Sequence, residues 1–194
     1  MRALVIFAHP DLKSLNGQIY NDVLNLLQKN GHQTEAIDLY RDNFNPVLAP
    51  QERAAYFDET AAKAEVQRYA ESLAKADILI FCFPTWCLGP PAILKGFFDR
   101  VMKPGVSFKL AEDGTLHPNL QHIQRVISIV TYGRGRSILH WFGDPPRKMM
   151  TRYIRWFISR SARISYCGLY NLHKPDAGKI GRFRDRVMRL VSQL

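Results

Sequence analysis

Cysteine is scarce in this sequence, with three in 194 residues. An odd number with no C-x-x-C and no metal-ligand spacing argues against a disulfide framework or a zinc site. A reducing, cytoplasmic setting is expected, with no metal centre. No apolar run approaches the roughly 18 residues of a membrane span, and the strongest runs only from Ile78 to Pro84. Met1-Arg2 leads straight into Ala3-Leu4-Val5-Ile6-Phe7-Ala8, which stops at His9-Pro10 without a small-residue cleavage site, so no signal peptide is expected. There is no G-x-G-x-x-G and no Walker sequence, which excludes a Rossmann dinucleotide fingerprint and a phosphate-transfer loop. Repeats, low-complexity tracts and linkers are also missing. Acidic residues almost vanish from the last third. Residues 134–194 hold 14 Lys and Arg against Asp144, Asp176 and Asp185, whereas residues 1–133 hold 13 basic and 14 acidic residues. The whole +10 excess therefore sits at one end of the chain, where it attracts an anion: a phosphorylated cofactor, anionic lipid or nucleic acid.

What remains is an ordinary globular composition, 46% hydrophobic and 23% charged, in one domain spanning residues 1–194. Apolar strands alternate with amphipathic helices. Ala3–Ala8 is a continuous apolar run, the mark of a strand buried on both faces. Leu15, Ile19, Val23, Leu26 and Leu27 then follow helical spacing up to an Asn30-Gly31 stop. Thr34–Leu39, Ile78–Phe83, Val126–Thr131 and Arg163–Leu172 are the other expected strands. Residues 51–57, 59–75, 91–102 and 176–192 are expected helices, and Asp144 is a candidate N-cap for another reaching about Arg160. Five strands separated by helices predict an α/β fold. It is a doubly wound, flavodoxin-like parallel sheet in the order 2-1-3-4-5 with helices on both faces. Ligands of such sheets bind beyond the carboxyl ends of the strands, at the switch point beside the first one.

That rule gathers three loops into one pocket. His9–Asn16 runs into a helix N-terminus that favours an anion; Ser14 and Asn16 add donors, unless Ser14 serves only as the helix cap. Pro84-Thr85-Trp86-Cys87-Leu88-Gly89 is a stiff, aromatic-bearing wall for a flat ring, unless Trp86 packs beneath its neighbour. Cys87 reads as a small apolar filler, because no charged partner supports a thiolate. Thr131-Tyr132-Gly133-Arg134-Gly135-Arg136 has two glycines that admit close backbone approach, or forms a plain connection with solvated arginines. Together the loops describe a site for a planar, phosphate-bearing cofactor.

The motifs in these loops resemble a known family, the flavin-dependent NAD(P)H:quinone oxidoreductases (the DT-diaphorase family). Ala8-His9-Pro10 with Ser14-x-Asn16 is similar to that family's first loop. Asp38-Leu39-Tyr40 with Phe44-Asn45-Pro46 also matches. The longest match runs from Phe81 to Val101 and includes Pro91-Ala92-Ile93-Leu94-Lys95-Gly96-Phe97-Phe98-Asp99-Arg100. Asp144-Pro145-Pro146-Arg147-Lys148 with Tyr166–Leu172 is similar to the shorter bacterial members. The resemblance implies FAD or FMN as cofactor, NADPH or NADH as donor, a quinone, azo or nitro acceptor, ping-pong hydride transfer and a homodimer. It implies that His9, Ser14, Leu15 and Asn16 hold the phosphate side of the flavin. Pro84, Thr85, Trp86, Cys87 and Leu88 would line its ring, and Thr131, Tyr132 and Gly133 would bond its polar edge. Ile138 stands where family members carry a relay tyrosine, and His140 is out of register with the relay histidine, so the resemblance fixes no catalytic residue. His140 and Tyr132 are the candidates.

A second reading comes from residues 147–163, which mix Met149, Met150, Tyr153, Ile154, Trp156, Phe157 and Ile158 with six basic residues. Such a stretch can form a basic amphipathic helix on anionic lipid, as in relatives that serve as ancillary subunits on membrane transport proteins. It can equally pack against the sheet, with its arginines covering apolar surface. No motif for specific nucleic-acid recognition is present.

Overall fold

The computed structural model describes residues 1–58 and 64–194. Its centre is the strand β1 (Arg2–Phe7), buried at every position after Arg2. Successive side chains point to opposite faces. Ala3, Val5 and Phe7 enter one core, and Leu4, Ile6 and Ala8 enter another. The strands β3 (Ile78–Pro84) and β6 (Arg125–Thr131) repeat the pattern. Ile78, Ile80, Cys82, Ile127 and Ile129 join the first core, while Leu79, Phe81, Phe83, Val126 and Val130 join the second. A strand with two dry faces has no polar side, which is why these segments read as unbroken apolar runs.

Helices close each face. The helices α1 (Leu15–Lys29) and α8 (Ala177–Val191) cover the first core with Ile19, Val23 and Leu27 and with Phe183, Val187 and Val191, residues at four-step spacing. The α1 helix stops at Asn30, after which Gly31 takes φ +76°. The helices α3 (Ala64–Lys75) and α4 (Ala92–Val101) cover the second core, joined by Met150, Ile154 and Phe157. With β2 (Gln33–Asp38) and β7 (Arg163–Leu169) at its edges, the sheet is all parallel in the order β2-β1-β3-β6-β7. This is the expected order by strand position. A short helix α2 (Pro50–Ala54) is tied to α4 by a buried ion pair. Arg100 Nε donates to both carboxylate oxygens of Glu52, at 3.1 and 3.0 Å, and Arg100 also reaches the Asn45 carbonyl and Glu65.

Several expected elements differ. The 51–57 helix is the shorter α2, and residues 59–63 of the expected 59–75 helix lie outside the described residues. An antiparallel hairpin, β4 (Phe108–Leu110) with β5 (Leu116–Pro118), interrupts the connection to β6. The single helix expected from Asp144 to about Arg160 is instead α6 (Pro145–Lys148), a π-helical turn over Met149–Tyr153 and α7 (Ile154–Phe157), preceded by an extra helix, α5 (Arg136–Trp141). It stops early because the Leu120 N–H takes the Phe157 carbonyl at 3.0 Å. Arg155 then satisfies the loop carbonyls of Ser159, Arg160 and Ala162. The last strand ends at Leu169, three residues early, because the Leu172 N–H turns to the Tyr132 carbonyl.

Candidate functional site

Backbone bonds continue past the strand ends and hold the three loops side by side. The Ala8 N–H donates to Cys82, that of Thr85 to Thr131 at 2.8 Å, and that of Tyr132 to Leu169 at 2.8 Å. The first loop is fixed at both ends. His9 Nδ1 accepts the Asp11 N–H at 3.0 Å. Ser14 Oγ donates to the Asp11 carbonyl at 2.6 Å and accepts the Gly17 N–H at 3.1 Å. Ser14 is thus the helix cap, and its hydroxyl proton is spent inside the loop. Gly17 is required here, since a Cβ would lie 2.2 Å from the Leu12 carbonyl oxygen.

An α-helix leaves its first N–H groups without intrahelical acceptors. Ser14 takes those of Gly17 and Gln18, so those of Leu15 and Asn16 face out of the helix end. Beside them the Asn16 side chain is buried, 2% exposed, and neither its Oδ1 nor its Nδ2 has a partner among the described residues. Buried polar atoms are almost always paired. An amide with two open valences next to two free N–H groups, at the positive end of a helix dipole, matches a phosphate-bearing ligand.

The second loop folds back on itself. Trp86 and Gly89 exchange backbone bonds of 3.0 and 2.9 Å around Cys87 and Leu88, both left-handed at φ +49° and +62°. Turns of this kind normally carry Asn or Gly, and the left-handed conformation costs other residues about 1–2 kcal/mol each. Strain of this sort collects at binding sites. Trp86 is 42% exposed, with its ring centroid 6.0 Å from that of His9. It stands at the rim joining the first two loops and is not packed under either.

Between the second and third loops lies a cleft of about 530 Å³, lined by Thr85, Cys87, Leu88, Gly133 and Arg134. Its far wall is α5, through Ile138, Leu139 and Phe142. Sequence reasoning missed that wall; the only signal was the apolar spacing after Gly135. Pro84 and Thr131 sit opposite each other in the β3–β6 register, both buried at the ends of their strands.

The family model described as "Flavodoxin-like fold" (Flavodoxin_2) matches residues 1–167. The chain belongs to that family. An uncharacterized NAD(P)H oxidoreductase of Haemophilus influenzae is 29% identical over 195 residues, covering 100% of this chain and 92% of that protein. The rat enzyme NAD(P)H dehydrogenase [quinone] 1 is 31% identical over 198 residues, 93% of this chain and 69% of its own length. Among solved structures, Smu.1420 from Streptococcus mutans superposes with a TM-score of 0.84 at 27% identity, over all of both chains. The kinship expected from the loops and from Phe81–Val101 is therefore borne out, as is the flavodoxin-like fold.

Within the family frame, two expected site residues lie elsewhere. Tyr132 is fully buried, its N–H and carbonyl are both used by backbone partners, and its ring stacks on Tyr170 at 4.5 Å. Its hydroxyl donates to Asp144 Oδ1 at 2.8 Å and meets the Tyr166 hydroxyl. Burial, then Tyr166 and Asp144, hold its phenol far above the ordinary tyrosine range. Where a ligand or proton role is expected of Tyr132, its N–H, carbonyl and hydroxyl are all engaged by protein partners. Asp144, expected as a helix cap, makes no cap bond with its side chain. It sits in a left-handed conformation at φ +45° and gives its carboxylate to Tyr132. His140 lies on the other side of α5, away from the cleft, against Arg136, Gly143 and Arg147.

Proposed function

We propose that this protein is a flavoprotein oxidoreductase. It carries hydride from NADPH or NADH through bound FAD or FMN to a quinone or a similar small acceptor, with donor and acceptor using one place in turn. The observation that carries the reading is the orphaned Asn16 amide at the start of α1, at the same carboxyl edge of the sheet as the cleft between the second and third loops. The likeness to NAD(P)H:quinone oxidoreductases supports it.

The two-electron chemistry is the flavin's own, and the chain's residues bind, orient and exclude water. The Leu15 and Asn16 N–H groups and the Asn16 amide would hold the phosphate. Thr85, Cys87 and Leu88, with Trp86 and His9 at the rim, would line the ring. Gly133 would let the backbone approach its polar edge. Fixed N–H donors in a water-poor cleft favour the negative charge of the reduced state. No side chain is assigned as an obligatory acid, so quinol protons come from water. The exposed aromatics of this region, Trp141 at 81% and Phe142 at 50%, support a homodimer with the cleft at its interface.

The test is the absorption spectrum of the purified protein, followed by anaerobic bleaching with NADPH or NADH and recolouring by a quinone. A preparation that stays colourless after incubation with FAD and with FMN refutes the reading.

A further inference from the structure

A second cavity of about 420 Å³ lies against the opposite side of α5. Arg136 and His140 of α5 line it, facing Arg147, Lys148 and Arg152 beyond Asp144. Four permanent cations thus share one cavity with a single carboxylate, and that carboxylate already accepts the Tyr132 hydroxyl. The ion pairs among the described residues involve other side chains, and none reaches these four cations. The Arg147 guanidinium lies over the face of Tyr166, 5.4 Å from its ring centroid, and interacts with the Tyr170 phenol. Like charges gathered without counter-ions work against the folded state. A cluster of this kind is arranged for an anion rather than for stability.

The position says which anion. The cavity and the cleft share helix α5, which turns Ile138, Leu139 and Phe142 to one and Arg136 and His140 to the other. The separation is about one helix diameter, roughly 10–12 Å, a span that a dinucleotide bridges when its nicotinamide lies in the cleft. The charge count goes further. The diphosphate of a dinucleotide carries two negative charges, which the net +3 of four cations and one carboxylate exceeds. A phosphate monoester adds about −1.5 to −2. Arginine suits such a group because its planar fork meets phosphate oxygens in pairs.

We infer that the cavity between α5 and the 147–152 segment receives the 2′-phosphate of the nicotinamide dinucleotide and makes this protein select NADPH over NADH. The inference rests on the oxidoreductase reading above, and its test reads binding as well as turnover. Flavin-loaded protein is titrated calorimetrically with NADP+ and NAD+ at low and moderate salt. NADP+ should bind at least 10-fold tighter, with the gap narrowing as salt rises. In a Lys148→Gln/Arg152→Gln double variant the gap should close to within about twofold, with NAD+ affinity unchanged. Both positions are exposed, so folding is not at stake, and Arg182→Gln/Arg189→Gln on α8 is the charge-matched control. In turnover, the NADPH over NADH ratio of kcat/KM should fall by the same factor. Equal binding of NADP+ and NAD+ to the parent protein, or a double variant that keeps its preference, overturns the inference. So does an equal loss for both nucleotides, which would make the cluster a site for the diphosphate. If NADP+ is preferred but neither NADPH nor NADH bleaches the flavin, the cavity stands and the oxidoreductase reading falls.

Discussion

Replacing Asn16 with leucine should stabilise the flavin-free protein and weaken its hold on flavin, two effects of opposite sign from one side chain. Both polar atoms of the amide are buried without a partner among the described residues. A buried polar group left unpaired costs about 1–3 kcal/mol. Leucine has similar length and branching, so the change removes that cost without opening a cavity. For a chain of 194 residues each kcal/mol moves Tm by about 2–4 °C, so stripped Asn16→Leu protein should melt about 2–12 °C higher than stripped parent. With flavin the sign reverses. Bonds to a charged group contribute about 1.5–3 kcal/mol, a loss of about 10–150-fold in affinity. Thermal melts of the stripped proteins and fluorescence titrations with FMN and FAD measure the two halves. If the stripped variant melts lower and its flavin Kd stays within twofold of the parent's, the amide serves the core and the reasoning is refuted.

Ser14→Ala should cost about 1 kcal/mol of stability, the usual worth of a cap, and leave flavin affinity within twofold; a 10-fold loss of affinity would mean that its hydroxyl turns to the phosphate. Cys87→Asn, a residue that tolerates the left-handed region, should raise the denaturant midpoint by the equivalent of about 0.5–1 kcal/mol, and a lower midpoint would show that the turn is unstrained. Arg100→Ala removes the buried guanidinium that both Glu52 carboxylate oxygens accept from and should cost about 3–5 kcal/mol, read by denaturant unfolding; a loss under 1 kcal/mol would mean that water reaches the pair. Burial raises the Tyr132 phenol above its unfolded value near 10, so its contribution to stability is complete below pH 10 and is lost as pH rises beyond it. Tyr132→Phe should therefore flatten the alkaline decline by about 1.4 kcal/mol per pH unit, and an unchanged slope between pH 10 and 11 would count against a protonated, buried phenol.

The sheet was legible because two dry faces leave nothing polar in β1, β3 and β6. The strand order followed from crossover rules, and the pocket's place from the order. The pieces of the 144–160 segment were not legible, because Leu120 and Arg155 end that helix through contacts distant along the chain. The three-residue strands of the hairpin are too short for any periodicity. Tyr132 shows the limit most sharply. An aromatic at a strand's end can turn toward a ligand or under it, and Asp144, 12 residues on and left-handed, decides the matter. The Asn16 motif pointed to the start of α1, but only the fold reveals that its amide lacks a partner among the described residues.

The parallel register has a kinetic consequence. Ala3 pairs with Ile78, Ile78 with Arg125, and Arg125 with Arg163, so no central pairing is local and each must wait for a long segment to close. The edge that joins Tyr132 to Leu169 completes the cleft only when β7 docks. A ligand that recognises the finished edge finds nothing to grip in the folding transition state. Flavin therefore acts on the way out of the native state and not on the way in: it slows unfolding, leaves the refolding rate to the chain, and extends the life of a molecule that had to assemble before it could bind.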